Sequence, residues 1–361
     1  MSEAQTPVPA GPPQEDLSRP LVDAEALETW LDAQLGGSGR IEVERHRAGH
    51  SNETFFVTRG RANWVLRRPP RGAFLPTAHD VLREYRVLSA LAGTGVRAPK
   101  PVIACEDAAV IGVPFYLMER VEGFVIRSEL PPGFRDDSSR DARAAIADEL
   151  VDALAELHAV DWRAVGLEGW GRPSGYLERQ IKRWSGQLEL ATRFSRPLPD
   201  LERVRDWLSQ HVPGDAGSAI VHGDYKLDNV TFAPDPPARL LSIFDWEMST
   251  IGDPLADVGW MLSYWRDPED PPNPLHPELD LMTAPGFRRR NELLERYSER
   301  TGRSMIDILF YTVLAVWKLA VLLEGSYARH LAGVTDDPFF AELEDGVPAL
   351  GRRALELIEG G

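Results

Sequence analysis

A single cysteine, Cys105, occurs in 361 residues. That excludes an intramolecular disulfide, and with no companion ligand residue beside it an inert buried thiol is expected. Basic side chains are in deficit: 40 Lys and Arg against 56 Asp and Glu give a formal charge of −16. Sequence-independent nucleic-acid binding depends on a basic surface and is disfavoured. The first residues show no basic segment followed by an apolar run, so a signal peptide is not expected. Pro7, Pro9, Pro12, Pro13 and Pro20 argue against a packed element, and residues 1–22 read as a disordered tail. Uninterrupted apolar runs are also lacking. The most apolar segment, Ile306 to Leu323, contains Asp307 and Lys318 and reads as a buried helix, with no membrane partner. Together these absences point to a cytoplasmic protein of about two domains.

What is present is concentrated in one stretch, His222-Gly223-Asp224-Tyr225-Lys226-Leu227-Asp228-Asn229, followed by Asp245-Trp246 after an apolar run. Asp224 and Asn229 have the spacing of the H-R-D-x-x-x-x-N loop of kinases, where the aspartate receives a hydroxyl proton and the asparagine holds magnesium. Val230 to Phe232 and Leu240 to Phe244 read as the two strands of a hairpin turning at Pro234 to Pro237. Asn229 and Asp245 are equidistant from Pro237, so antiparallel pairing predicts that they face each other and bridge one hard cation. A sparse pair of oxygen ligands beside an open loop suits Mg2+ carried on substrate phosphates.

His222 to Asn229, Asp245-Trp246-Glu247 and Gly252-Asp253-Pro254-Leu255-Ala256-Asp257 resemble the aminoglycoside phosphotransferase and choline kinase superfamily. Within it the chain is most similar to the branch related to the kinase-like region fused to some acyl-CoA dehydrogenases. The three motifs in this order are specific, and the likeness runs from about Ile41 to Ala332. It implies an α+β, bilobal, protein-kinase-like fold with ATP and Mg2+ as cofactors. It also places His222 beneath the loop and makes Asp257 a brace for the loop backbone. Lys226, two residues beyond Asp224, is a candidate to offset charge on the γ-phosphoryl group.

The small β-rich N-lobe is expected over residues 23–121. Asp23 to Leu35 has helical spacing at Leu27, Trp30, Leu31 and Leu35 and stops at Gly36-Gly37. Strands are expected over Arg40 to Val57, Asn63 to Arg68, Val102 to Cys105 and Phe115 to Glu119. A helix starting at Thr77 should bury Val81, Tyr85 and Leu88. The segment Arg47 to Thr54 lies where a kinase-like fold has its phosphate-covering loop, with Ser51 and Asn52 as candidate phosphate contacts. Only Gly49 there is glycine, and an ordinary hairpin turn is the alternative. Trp64-Val65-Leu66-Arg67 matches the strand that usually ends in a phosphate-binding lysine; arginine stands here instead, with Arg68 as the rival. Glu84 is the residue expected to pair with Arg67, and the resemblance puts adenine contacts at Glu119 to Val121.

The larger, mostly helical C-lobe is expected over residues 122–361. His158, ending the helix from Arg140, reads as satisfied by nearby backbone. Leu167 to Val212 exceeds the minimal kinase parts. Its Tyr176, Arg179, Gln180, Arg183 and Trp184 share one helical face, either as an acceptor-binding surface or as a docking helix with solvated arginines. Arg179 and Arg183 with the two aromatics suit an anionic or apolar-bodied hydroxyl compound better than an aminoglycoside. The late helix from Met305 to Leu331 carries Trp317, Lys318, Glu324 and Arg329. The expected function is an ATP- and Mg-dependent small-molecule kinase acting on an acceptor hydroxyl, with a hydroxylated acyl compound as the favoured class. The alternatives are an aminoglycoside phosphotransferase and a nucleotide-binding pseudokinase acting as an interaction module.

Overall fold

Asp23 accepts hydrogen bonds from the N–H groups of Glu25 and Ala26, satisfying two orphan donors of a helix start. Helix α1 (Ala24–Leu35) follows and ends at Gly36, whose φ of 69° is the left-handed conformation that glycine tolerates best. The computed structural model describes residues 20–46, 52–71, 80–136, 139–214, 216–271, 275–333 and 339–360. The expectations for residues 1–19, for the loop from Arg47 to Ser51 and for Thr77 fall outside these residues. Val22, assigned to the tail by sequence, is buried beside α1.

The chain divides into two compact units. The first takes the chain up to Ala92 together with Pro99–Val121; the second takes Gly93–Ala98 and Glu122–Gly361. Gly93–Ala98 belong with the second because Arg97 binds Glu149 at 2.5 Å and Glu156 at 2.8 Å, while its carbonyl accepts the Ile243 N–H at 2.7 Å.

The first unit is built on strands β1 (Glu42–His46), β2 (Glu53–Arg59), β3 (Ala62–Arg68), β4 (Pro101–Cys105) and β5 (Phe115–Glu119), with helix α2 (Val81–Leu91) between β3 and β4. They form one antiparallel sheet in the order β1-β2-β3-β5-β4. Side chains alternate across it. Phe55, Val57, Leu66, Phe115 and Leu117 share a core with Leu27 and Leu31 of α1, and Cys105 is part of it. Burial pushes the Cys105 thiol up, away from the reactive thiolate. On the other face the Tyr116 ring packs at a tilt against Tyr85 of α2, their centres 5.8 Å apart. Helix α2 is capped by Asp80, whose side chain accepts the Arg83 N–H. It buries Glu84 as well as Val81 and Leu88, while Tyr85 is only half-buried.

The second unit is mostly helical: α3 (Arg140–His158), α4 (Tyr176–Thr192), α5 (Pro199–Gln210), α6 (Leu255–Ser263), α7 (Arg290–Thr301), α8 (Ile308–Leu331) and α9 (Phe339–Gly360). Two short antiparallel ribbons interrupt the helices, β6 (Ala219–Val221) with β9 (Thr250–Gly252) and β7 (Val230–Phe232) with β8 (Leu240–Ile243). By length and apolarity α8 resembles a membrane span, yet Val313, Trp317 and Ala320 are fully buried and Trp317 donates to the Leu201 carbonyl at 3.0 Å. It is the core helix of this unit. The small antiparallel sheet and the larger helical part make an α+β, bilobal, kinase-like fold.

Candidate active site

Strand β6 delivers the chain to His222, and the loop from His222 to Asn229 is fixed from below. Asp257, in the first turn of α6, accepts the N–H groups of His222 at 2.6 Å and Gly223 at 2.8 Å. Its carboxyl is held below its ordinary value: burial would raise it, but the hydrogen bonds and charges of His158, His222 and Gly223 outweigh burial. His158 is not satisfied by backbone as expected. Its Nε2 lies 3.2 Å from Asp257 and its Nδ1 2.7 Å from the Tyr297 hydroxyl, because the end of α3 is buried where side chains of α6 and α7 reach it. Burial lowers the His158 pKa, so the ring is neutral, donating to Asp257 and accepting from Tyr297. Gly223 has φ 87°, and a Cβ there would come within 2.8 Å of the Met248 carbonyl oxygen, so no larger residue fits this corner.

The His222 ring is architectural. Its Nδ1 accepts the Asp224 N–H at 3.2 Å and its Nε2 donates to the Phe244 carbonyl at 2.8 Å, which ties the loop to the end of β8. Trp246 packs edge-on against it at 4.8 Å and donates to the Ile243 carbonyl. In the Gly252-Asp253-Pro254 motif Asp253 is structural too, accepting the Leu255 N–H at 3.0 Å and the Tyr311 hydroxyl at 2.7 Å.

Asp224 sits at the top of this frame, its side chain 20% exposed. One carboxylate oxygen accepts the Trp260 indole N–H at 2.7 Å and the other the Asn229 amide at 2.7 Å; Lys226 Nζ is 3.4 Å away. A carboxylate has about four lone-pair sites, so one remains for a further donor. Lys226 also lies 4.6 Å from the Tyr264 ring. Burial would lower its pKa, but Tyr264, Asp224 and Asp228 together hold it above the ordinary value, so the ammonium is charged.

Asn229 spends both amide protons on Asp224, on its carboxylate and on its carbonyl at 2.8 Å. The amide oxygen is thereby turned away from Asp224, and among the described residues no donor is recorded on it. The predicted pairing of Asn229 with Asp245 is corrected. Asn229 faces Phe244, whose N–H donates to the Asn229 carbonyl at 2.7 Å. The register shifts between Thr231 and Phe232, where Leu241 is the extra residue on β8, and the hairpin is not symmetric about Pro237. Asp245 follows directly, in a left-handed conformation with φ 62° and ψ 64°. Asn229 and Asp245 still leave adjacent rungs of one hairpin, and two hard oxygen donors suit Mg2+ better than a soft metal. No group of three His, Cys, Asp or Glu forms a self-sufficient metal cage among the described residues.

In the first unit the register pairs Arg67 with Tyr116, which puts Arg67 on the α2 face. There its Nε lies 3.4 Å from the buried Glu84 carboxylate. Arg68 points the other way, is fully buried and donates to the carbonyls of Leu21 and Pro69, so it is not available to a ligand. Asn52 is buried at the start of β2, and the N–H groups of Glu119 and Arg120 are taken by the Lys100 and Asn63 carbonyls. Val121 follows, half-buried, and Ser51 lies outside the described residues.

Helix α4 splits the predicted acceptor set. Tyr176 packs its ring on Gly252, where a Cβ would approach within 2.5 Å, and Trp184 is buried and donates to Gln180 at 3.1 Å. With Gly223, Asp257, Trp260 and Lys318 these residues line one narrow pocket. The arginines are elsewhere. Arg179 donates to the carbonyls of Arg172 and Ser174, and Arg183 is exposed with its guanidinium 5.1 Å from the Trp184 ring. Arg179 therefore closes the turn before α4, a local use that a helical-face argument does not see.

Two residues were missed. Trp260, one helical turn after Asp257, holds the Asp224 carboxylate, and that i, i+3 relation was the available signal. Tyr264, one turn further on the same face, contacts Lys226 and lines a cavity of about 330 Å³ with Leu275, Leu279, Val316, Leu319 and Leu350.

Known proteins share sequence and fold with this chain. Residues 42–299 match the model of the phosphotransferase enzyme family. Acyl-CoA dehydrogenase family member 11 of Rattus norvegicus is 35% identical over 319 residues, covering 86% of this chain and 40% of that protein. The chain thus spans about two-fifths of that relative's length. A crystal structure of a candidate aminoglycoside phosphotransferase from Ralstonia eutropha JMP134 is 34% identical, covers 94% of this chain and 98% of its own, and superposes with a TM-score of 0.78. Spectinomycin phosphotransferase, solved with ADP and spectinomycin, shares the fold alone, at 12% identity and a TM-score of 0.57, covering 92% of this chain and 98% of its own.

Proposed function

From the premise that this chain belongs to the phosphotransferase enzyme family, we propose that it is an ATP- and Mg2+-dependent kinase that phosphorylates a hydroxyl of a hydroxylated acyl compound. The observation that carries the kinase reading is the Asp224 carboxylate, oriented by Trp260 and Asn229 and left with a vacant lone pair. The acceptor oxygen attacks the γ-phosphorus and its proton passes to Asp224. The bond from the γ-phosphorus to the β,γ-bridging oxygen breaks, and its electron pair leaves with ADP. Lys226 offsets charge on the equatorial oxygens of the transferring group. Asn229 through its amide oxygen and Asp245 through its carboxylate are the residues proposed to hold magnesium, which when bound neutralises phosphate charge. In the first unit Arg67, braced by Glu84, is the candidate to grip phosphate oxygens, with Asn52, Ser51 and the backbone at Glu119 to Val121 as further nucleotide contacts.

The acceptor class rests on the cavity that begins at Tyr264, beside Lys226, and is walled by aliphatic side chains together with Arg266, Arg290, Arg352 and Arg353, against Asp270 and Glu356. Four arginines against two carboxylates disfavour a polycationic aminoglycoside, whereas an anionic compound with an apolar chain is matched by both the arginines and the aliphatic wall. The pseudokinase alternative is disfavoured because Asp224, Asn229 and Asp245 are all present. ADP release is to be measured with magnesium-ATP and three acceptor classes: hydroxylated fatty acids, their coenzyme A thioesters and aminoglycosides. Turnover with the first or second supports the reading. Turnover confined to aminoglycosides overturns the acceptor, and nucleotide binding without transfer to any acceptor overturns the kinase.

A further inference from the structure

Lys318 is the one cation in the apolar stretch from Ile308 to Ala328 of α8, and helix packing alone does not require it. Its Nζ donates to the Gly223 carbonyl at 2.8 Å, one peptide before Asp224. It lies 4.0 Å from the centre of the Trp260 ring, whose indole N–H reaches the Asp224 carboxylate at 2.7 Å. The Trp184 ring is 5.7 Å away on α4. An ammonium held between one carbonyl and two indole faces is attracted by the rings and contributes most where water is excluded. Both routes out of Lys318, through the Gly223 peptide and through Trp260, end on Asp224.

We propose that Lys318 is a positioning residue for phosphoryl transfer, its ammonium fixing the Gly223 peptide and the Trp260 indole so that the Asp224 carboxylate faces the acceptor hydroxyl. This rests on Asp224 being the base. The ammonium is lost at an accessible pH, because burial, opposed by Asp224 and Asp257 and reinforced by Arg183 and Lys226, lowers the Lys318 pKa to about 8. Of the tyrosines lining the same pocket, Tyr176 is pushed above its ordinary value by burial and Tyr311 donates to Asp253, so neither supplies a competing charge there. The linkage has a definite sign. The folded value is below the ordinary 10.5, so the unfolded chain binds the proton at higher pH, and this group's contribution to stability rises between about 8 and 10.5. Positioning moves the opposite way: transfer falls as Lys318 loses its proton. A lysine that only supported the fold would move stability and leave transfer unchanged.

The test uses the full chain with nitrogen-15-labelled tryptophan, the Trp260 indole being the cross-peak missing from Trp260→Phe. In the wild type that peak is expected to shift with an inflection near pH 8, to lose the inflection in Lys318→Met, and to hold its low-pH position up to pH 10.5 in Lys318→Arg. Hydrolysis of magnesium-ATP with water as acceptor is expected to fall about tenfold in Lys318→Met at unchanged KM for ATP, and to be partly restored in Lys318→Arg. An inflection near pH 8 that survives in Lys318→Met, or its absence from the wild type, overturns the proposal. If hydrolysis is lost in Asp224→Asn but unchanged in Lys318→Met, the role of Lys318 fails; if neither variant loses it, the assignment of Asp224 fails.

Discussion

In the loop from His222 to Asn229 the polar groups of backbone and side chains are met from several directions: Asp257 and Trp260 from α6, the Phe244 carbonyl beyond β8, Lys318 from α8. On α4 the charged side chains are met locally or not at all, Arg179 by the turn before the helix and Arg183 by the adjacent indole. The loop is over-determined, so each member can hold a fixed geometry; α4 presents an aromatic face inward and leaves its arginines outside. Convergence of distant elements fixes the loop, whereas the arginines of α4 are left to local partners.

The largest effect that would break this contrast is expected at Asp257. Asp257→Ala leaves His158 and two loop N–H groups without their buried acceptor, and a loss of about 3–5 kcal/mol is expected in chemical denaturation. A loss below about 1 kcal/mol would show that the loop does not depend on convergence. Next is Asp224→Asn, which keeps the shape but not the base. Turnover should fall about a hundredfold, or about 2.7 kcal/mol, with nucleotide affinity little changed, as read by single-turnover kinetics. Undiminished turnover would remove Asp224 from the mechanism.

Asp245→Ala should abolish the thermal stabilisation that magnesium-ATP gives, worth about 2.7 kcal/mol at a hundredfold excess over Kd. Equal shifts in mutant and wild type would sink the metal assignment. The loop should also carry a pH signature. Both His158 and Asp257 have folded values below their ordinary 6.5 and 3.8, so the unfolded chain binds protons first and stability falls as pH drops through 6.5 and again below 3.8. Thermal melts of the wild type and His158→Phe should differ in slope from pH 6.5 downward, and parallel curves would contradict a neutral His158. The smallest effects belong to α4. Arg179→Ala should cost about 1 kcal/mol through its two carbonyl partners and Arg183→Ala less than about 0.5 kcal/mol, by urea titration. The reverse order would mean that the arginine uses have been misassigned.

Much of the candidate site was legible because its geometry is local. Asp224 and Asn229 bond across five residues of one loop, and motif spacing carries that information directly. The helical spacing from Asp23 to Leu35 and the stop at Gly36 were equally readable from period and cap. The choice between Arg67 and Arg68 was not. It depends on which sheet face α2 covers, and this emerges only from the pairing of Arg67 with Tyr116. The facing of Asn229 and Asp245 failed by one residue because the turn is centred on Pro236, not Pro237, and the extra residue Leu241 makes up only part of that shift; neither feature leaves a composition signal. Arg179 was misread because side chain to carbonyl bonds depend on the path of the preceding turn, which helical periodicity ignores.

Asp245 has consequences for anyone who would engineer this chain. Among the described residues it is the one non-glycine position with positive φ, a conformation that disfavours an L-residue by about 1–2 kcal/mol. Glycine would relax that backbone at no steric cost and would also delete the carboxylate. With Asp245 in the proposed metal role, a library ranked by melting temperature alone would enrich Asp245→Gly and lose magnesium-ATP binding. Residue 245 is the position to hold fixed, or to sequence first, in any campaign for thermal resistance.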